Sequence, residues 1–457
     1  MPTLELLTVL LAAAAALALC RVAIRKVTWH SLRSVRREFR SRIDRYKRTA
    51  KSRIRSELLA DPEIQAAIDS HVLETGESRA RALDRVRAYV EEIVPSFNLL
   101  SYYRFGYAVA RLLIPLFYKV SVGYEARAAL DAIPRDSGVL YLMNHRSNAD
   151  YVVVAYVLSG RVAISYAVGE WARVWPLEAV FKSFGSYFVR RRYREVLYHK
   201  VLERYVQLIT SNGVTQGIFL EGGLSRDGRL RPPKLGLLDH IVKTRGGPDR
   251  GRPLQVIPVA INYDRVLEDR SLLRELQPDE ERLPRRQQVR EVAAYVAKVT
   301  VRFLLRRARR YGRACVSFGA PINVDDWLAE RPGILLLPRE ERLPKLEELA
   351  LLVMERIGAI MPVTAVALAS TALLDHPEAR ITRPEWEQAL DRLRERLRGL
   401  GAHVIGGERT SAETLDRALV MLTMRRVVRP AEAGFEIDRA QDPLLRFYAN
   451  TIAQVGT

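Results

Sequence analysis

The chain has 457 residues, 48% of them hydrophobic and 28% charged, which supplies a large core, excludes wholesale disorder and suggests roughly two to four domains. Two cysteines, Cys20 and Cys315, exclude a disulfide scaffold and a Cys-rich zinc site, and seven histidines leave little room for histidine metal clusters. The balance of 73 Lys+Arg against 53 Asp+Glu gives +20, which points to anionic partners: phosphate esters, nucleic acid or an acidic membrane face.

The first segment, Leu6–Cys20, is fifteen uncharged residues rich in Leu and Ala. A spanning helix needs about 20 apolar residues. Counting on to Ile24, with Arg21 snorkelling, gives nineteen. The opening MPTLE lacks the basic n-region of a cleaved signal peptide, and Leu19 precedes Cys20 where a lipoprotein signal has a small residue. Between Arg21 and Arg55, fourteen Lys/Arg stand against Glu38 and Asp44, so +12 of the +20 falls in 35 residues. Residues 1–26 read as a membrane-anchor-like leader, either spanning the bilayer or lying on it as an amphipathic helix. The basic run reads as its cytoplasmic stop, with the rest of the protein expected on the cytoplasmic side of the cell membrane.

Residues 27–95 form a basic helical region, in which 56–95 read as a solvated helical pair. Residues 97–118 are apolar and aromatic, as core helices or a lipid-facing surface would be. Short β-rich runs then alternate with helical patterns: strands at 119–126, 138–144, 162–169, 186–191, 217–222, 256–263 and 314–322, with helices at 150–158 and 193–210. Over 96–330 this is an α/β domain with a mixed, largely parallel sheet flanked by helices. Residues 331–457 turn helical. Thr382 with Glu385 and Thr410 with Glu413 are capping boxes opening helices 383–399 and 411–424. With a hairpin over 425–437, broken at Gly434, this C-terminal region is winged-helix-like. Its second helix is not strongly basic, so a nucleic-acid scaffold is the lesser reading.

The residues with chemistry follow strands, where an open α/β sheet places its ligands. In NHRSNADYVVVAYVL (144–158), His145 begins a loop and Asp150 opens the next helix. Residues five apart on one helix diverge by about 140°. With His145 on the loop, the Asp150 carboxylate can instead reach the imidazole, fix its tautomer and raise its basicity, as a general base needs. The helix N-terminus and the backbone N–H groups near it are the expected oxyanion donors. GSYFVRR (185–191) brings Arg190 and Arg191 to a strand end, where planar guanidinium forks suit a phosphate monoester. FLEGGLSRDGRLRPPKLG (219–236) runs a strand into Glu221. Gly222 and Gly223 then let the backbone turn close to a ligand, and Ser225, Arg226 and Lys234 complete an anion cradle. In VIPVAINY (256–263), Pro258 inside a buried-looking strand points to an edge or bulge near the site.

These four blocks, in this order and spacing, resemble the glycerolipid acyltransferases with their H-x4-D motif, and most of all the bacterial membrane glycerol-3-phosphate 1-acyltransferases. The resemblance covers about Phe97–Leu328, where VSFGAPINVDDWL is also similar, and the helical tail more loosely. It implies transfer of an acyl group from acyl-CoA or acyl-acyl-carrier protein to the 1-hydroxyl of glycerol 3-phosphate, with no metal or nucleotide cofactor. It also implies His145 as base, Asp150 as its orienting partner, and Arg190, Arg191, Glu221, Gly222, Ser225, Arg226, Lys234 and Pro258 as residues that bind the phosphate or shape the site. One departure stands out: the family commonly has an arginine before the third-block serine, where this chain has Leu224. That opens lysophosphatidate or dihydroxyacetone phosphate as an alternative acceptor.

Overall fold

A computed structural model of the chain describes residues 51–96, 111, 114–115, 117–158, 162, 164–169, 177–183, 185–190, 193–246, 252–276 and 311–455. The leader, most of the basic run, most of 97–118 and Arg191 lie outside the described residues. Among the described residues no helix is long and apolar enough to cross a membrane.

In chain order the principal elements are α1 (Lys51–Leu59), α2 (Pro62–Thr75), α3 (Arg79–Ile93), β1 (Lys119–Tyr124), β2 (Gly138–Met143), α4 (Asp150–Leu158), β3 (Ser165–Gly169), β4 (Tyr187–Val189), α5 (Val196–Ser211), β5 (Gln216–Phe219), β6 (Leu254–Tyr263), β7 (Arg313–Phe318) and β8 (Ile322–Asn323). After these come α6 (Arg339–Ala359), α7 (Ala365–Asp375), β9 (Arg380–Ile381), α8 (Arg383–Gly399), α9 (Ser411–Met424), β10 (Val428–Ala431), β11 (Gly434–Ile437) and α10 (Asp442–Asn450). The chain divides into two compact units, each discontinuous in sequence: Met1–Leu113 with Ala155–Leu202, and Ile114–Val154 with Glu203–Thr457. The boundaries read in the sequence at 26, 95 and 330 run along the chain, whereas these units interleave.

In the first unit the expected helical pair is three helices. Asp61 caps α2 by accepting the Glu63 and Ile64 N–H groups, Pro62 occupies the first turn, and Gly76 ends the helix in the left-handed region. Ile54 and Leu58, Ile64 and Ile68, and Ala82, Val86 and Val90 are buried, each set spaced by four residues, so every helix turns one apolar stripe inward. β3 and β4 form a parallel pair, with Ala167 opposite Tyr187.

The second unit holds a sheet ordered β1-β7-β6-β2-β5, with β8 also on β6. The β1–β7, β6–β2 and β2–β5 pairs are parallel, and β6–β7 and β6–β8 antiparallel. All six residues of β2 are buried, as expected of a strand covered on both faces. The sheet is therefore mixed, mostly parallel and flanked by helices.

Pro258 does not lie at an edge: β6 has partners on both sides. Antiparallel pairing stops between Val259↔Phe318 and Val256↔Ile322, where 319–321 bulge past 257–258, and the Pro258 carbonyl accepts the Gly319 N–H at 2.9 Å. The proline nitrogen faces that same side, so its missing donor falls where the ladder is already interrupted.

The C-terminal part is helical, and both capping boxes form as read. The order α7-β9-α8-α9-β10-β11, with β9 added to the β10–β11 hairpin in a three-stranded antiparallel sheet, is that of a winged helix.

Candidate active site

Two adjacent parallel strands deliver the site. β2 ends at Met143 and β5 at Phe219, and the chain beyond each stays paired for one more step, with Leu220 N–H donating to the Met143 carbonyl at 2.9 Å. Asn144 then pins the first loop to β6, donating to the Ile261 carbonyl at 2.9 Å and accepting the Ile261 N–H at 2.7 Å.

His145, 2% exposed, lies flat on the Phe219 ring (centroids 3.9 Å apart) and edge-on to Tyr151. Its Nδ1 is 2.9 Å from Asp150 Oδ2, the meeting the loop-then-helix reading required. A carboxylate can only accept, so Nδ1 carries the proton and Nε2 the lone pair, the tautomer of a general base. Asp150 is fully buried and opens α4. Oδ2 also accepts the Arg146 and Ser147 N–H groups at 2.7 and 3.0 Å, and Oδ1 accepts the Tyr263 hydroxyl at 2.5 Å.

The third block straps the first. Glu221 accepts the His145 N–H on Oε1 at 2.9 Å and the Arg231 N–H on Oε2 at 3.0 Å. The Ser225 N–H donates to the His145 carbonyl at 3.0 Å, and the Ser225 hydroxyl donates to the Arg229 carbonyl at 2.7 Å. Burial pushes the Glu221 carboxyl up to about 7, against the Arg146 guanidinium and its two N–H donors. Arg146 is itself completely buried, with Nη1 on the Gly228 and Arg229 carbonyls at 2.5 and 3.0 Å. Burial lowers its proton affinity, opposed by Glu221, Asp150 and Asp227.

The loop N–H groups are not available to an oxyanion, contrary to expectation. His145 N–H goes to Glu221, Arg146 and Ser147 to Asp150, Asn148 to Glu268 Oε1 at 3.2 Å, Ala149 to the Ser147 hydroxyl at 3.1 Å, and Asp150 to the Ser147 carbonyl at 3.0 Å. Glu268, whose other oxygen accepts the Ser147 hydroxyl at 2.6 Å, is raised above the ordinary carboxylate range by burial. The reason is general: a buried tight loop must satisfy its own backbone donors, and here the Asp150, Glu221 and Glu268 carboxyls take four of the six and Ser147 the other two.

Of the residues read as substrate-binding, Glu221 and Ser225 are thus spent on internal hydrogen bonds. Gly222 takes φ of 66° in the turn, where the Lys234 stem packs so close that an added Cβ would lie 2.7 Å from Lys234 Cγ. Arg226 is exposed and pairs with Glu275 at 2.9 Å. Lys234 and Arg229 are both exposed, and among the described residues neither side chain pairs with a carboxylate, although the Arg229 N–H donates to Asp227 Oδ1 at 3.0 Å. Pro258 sits in the β6 interruption and contributes no donor. In the first unit Arg190 is bound through Nε to Glu92 at 2.7 Å and through Nη2 to the same carboxylate, and lies over the Tyr193 ring. Arg191 lies outside the described residues. Arg146, Phe219 and Tyr263 fall inside the sequence blocks, yet nothing in their type or spacing marks them. Glu268, five residues past VIPVAINY, carried no signal at all. A cleft of about 530 Å³ lined by Tyr124, Glu125, Met354, His403 and others shares Leu230 with the strapped loop but none of the His145–Asp150 pair.

Residues 128–262 match the family described as Acyltransferase, and residues 300–455 the family described as Glycerol-3-phosphate acyltransferase C-terminal region. A glycerol-3-phosphate acyltransferase of Aeromonas hydrophila is 28% identical over 87% of this chain and 49% of its own length. One of Pseudoalteromonas atlantica is 28% identical over 73% of this chain and 41% of its own. The chain thus spans about half the length, or less, of these curated relatives. The crystal structure of a 1-acyl-sn-glycerophosphate acyltransferase, PlsC, from Thermotoga maritima aligns with a TM-score of 0.31 at 18% identity, over 64% of this chain and 87% of that one.

Proposed function

We propose that the chain is an acyltransferase of the glycerol-3-phosphate acyltransferase type, a reading its two family matches support, and that it moves a fatty acyl group from an acyl thioester to the 1-hydroxyl of glycerol 3-phosphate. The observation that carries the reading is the buried His145–Asp150 pair at 2.9 Å, held by the third block at the ends of two adjacent strands. An alcohol is a poor nucleophile at neutral pH. Nε2 takes its proton as the oxygen attacks the thioester carbonyl, Asp150 balances the imidazolium, and the proton passes to the leaving thiolate as the tetrahedral intermediate collapses. Cys315 is buried in β7, where burial raises its thiol well above the ordinary range, so no acyl-enzyme is invoked.

The oxyanion and the acceptor phosphate are assigned to side-chain cations, because the loop N–H groups are taken. Arg229 and Lys234 are exposed cations of the third block whose side chains pair with no carboxylate among the described residues. Arg231 places Nη1 3.2 Å from the Leu224 carbonyl and so returns a guanidinium to the position where Leu224 replaces the family's arginine. That contact favours a phosphate acceptor over an uncharged alcohol. The donor is acyl-CoA or acyl-acyl-carrier protein, no metal or nucleotide cofactor is invoked, and the basic run after the leader suits the cytoplasmic face of the cell membrane.

Purified full-length protein assayed with labelled acyl-CoA and acyl-acyl-carrier protein against glycerol 3-phosphate, dihydroxyacetone phosphate and lysophosphatidate tests this. Transfer to glycerol 3-phosphate with the highest kcat/KM, abolished in His145→Ala, is expected. Turnover retained in His145→Ala, or indifference to glycerol 3-phosphate, would overturn it. The rate should climb with pH between about 5 and 8 as the imidazole loses its proton.

A further inference from the structure

We propose that Tyr263 is a positioning residue for acyl transfer: its hydroxyl fixes the Asp150 carboxylate so that Oδ2 alone faces His145, extending the pair to a Tyr263–Asp150–His145 triad. This rests on the function proposed above. Tyr263 closes β6 and is 1% exposed, and its hydroxyl donates to Asp150 Oδ1 at 2.5 Å. The ring is held independently by Tyr118, whose centroid is 5.3 Å away and whose own hydroxyl is tied to the Arg265 carbonyl at 2.8 Å. β6 is also the strand to which Asn144 pins the start of the catalytic loop. One strand therefore sets both where His145 starts and which way its carboxylate points.

The hydroxyl is a dedicated donor. Burial, with Asp150 next to it, raises its proton affinity well above the ordinary phenol value, so it stays protonated throughout the working range. The groups facing Asp150 are His145, the Arg146 guanidinium, Glu268 and Tyr263, with Tyr118 behind. Glu268 and Asp150 repel, Arg146 attracts, and among the described residues Tyr263 is the side-chain donor to Oδ1. A donor to a carboxylate favours the state in which the imidazole is neutral and the pair carries a net negative charge. Removing it lifts the apparent pKa of the pair, and the acidic limb of the rate profile moves to higher pH. The carboxylate also gains rotational freedom, so kcat falls while acceptor binding is untouched.

The test is Tyr263→Phe in the full chain, which keeps the ring packing and deletes one oxygen. We expect kcat to fall on the order of 10- to 100-fold with KM for the acceptor within about twofold, and the acidic limb to move up. Incorporating 3-fluorotyrosine at 263, a stronger donor of nearly the same shape, should move the limb the other way and restore kcat. The imidazole of His145, followed by 15N NMR and assigned through His145→Gln, should show the same ordering of apparent pKa values, which tests the triad even if the acceptor has been misassigned. An unmoved limb and NMR titration in Tyr263→Phe, whether kcat falls or holds, would overturn the proposal. Loss of transfer in the wild type to every acceptor offered would instead sink the function and leave the NMR result to stand on its own.

Discussion

Replacing Glu221 with Gln separates two opposing contributions to stability. The Glu221 carboxyl is raised from its ordinary 4.5 to about 7 because burial outweighs Arg146 and the two N–H groups it accepts. An acid whose proton affinity rises on folding stabilises the fold fully below pH 4.5, and that contribution is lost as pH climbs through 7. At about 1.4 kcal/mol for each tenfold change in proton affinity, the loss across this window is about 3 kcal/mol. His240, in the helix Gly236–Val242, works in the other sense: burial lowers it from 6.5 to about 4, so its contribution is present above 6.5 and disappears as pH falls through 4, again by about 3 kcal/mol. In the wild type the two nearly offset one another. Glu268 and Asp264, also raised by burial, remain in both proteins and drop out of the difference. The stability of Glu221→Gln relative to wild type should therefore rise by about 3 kcal/mol between pH 4.5 and 7, starting from a deficit because the amide sets a donor against one of the two backbone donors. Urea unfolding of both proteins followed by tryptophan fluorescence at closely spaced pH values measures it. A difference flat to within about 0.5 kcal/mol would refute the argument.

Gly228→Ala should unfold the second unit or cost more than about 3 kcal/mol. Its φ is 85°, and a Cβ would lie 1.9 Å from the Phe447 carbonyl oxygen, which is backbone; a melting temperature within a few degrees of wild type would contradict this. Gly222→Ala also carries a left-handed φ and sets its Cβ 2.7 Å from Lys234 Cγ, near the root of that side chain, so a cost of about 1–3 kcal/mol is expected, smaller than at Gly228 and measured by the same melt. Glu268→Ala strands the Ser147 hydroxyl and the Asn148 N–H. It should cost about 1–3 kcal/mol in stability and a larger fraction of kcat than of KM in steady-state transfer.

The α/β alternation and both C-terminal capping boxes were legible because each rests on local pattern: period-two apolar runs between turn signals, and a Thr followed three residues later by Glu. Strand ends were less so. The run 217–222 is strand only as far as Phe219, since Glu221 and Gly222 leave the ladder to strap His145. The run 314–322 breaks into two strands at the interruption opposite Pro258. His145 and Asp150 could be found because a loop-then-helix offset of five brings them together. Their supports could not, because what defines Tyr263, Glu268 and Arg146 is a partner 113, 121 or 82 residues away, and no local spacing encodes that. The same limit explains Glu221 and Arg190, whose residue types suit a phosphate but whose partners turn out to be backbone N–H groups and Glu92.

The distribution of charge around the loop 145–150 follows from these partners. Asp150, Glu221 and Glu268 are three carboxyls around six residues, an arrangement that would repel a phosphate if it faced one. Asp150 and Glu221 are buried and Glu268 partly so, their oxygens covered by N–H or O–H donors, and the fully buried Arg146 lies among the same groups. Carboxylates satisfied by internal donors, balanced by the buried Arg146 guanidinium, fix the loop without projecting a field to the outside. Arg226 is neutralised by Glu275, but the Arg229 and Lys234 side chains stay exposed and pair with no carboxylate among the described residues. The sign presented to solvent by the third block is therefore positive although the acid Glu221 is buried in it. In the function proposed above, an anionic acceptor is drawn to these cations, while internally bonded carboxylates hold His145.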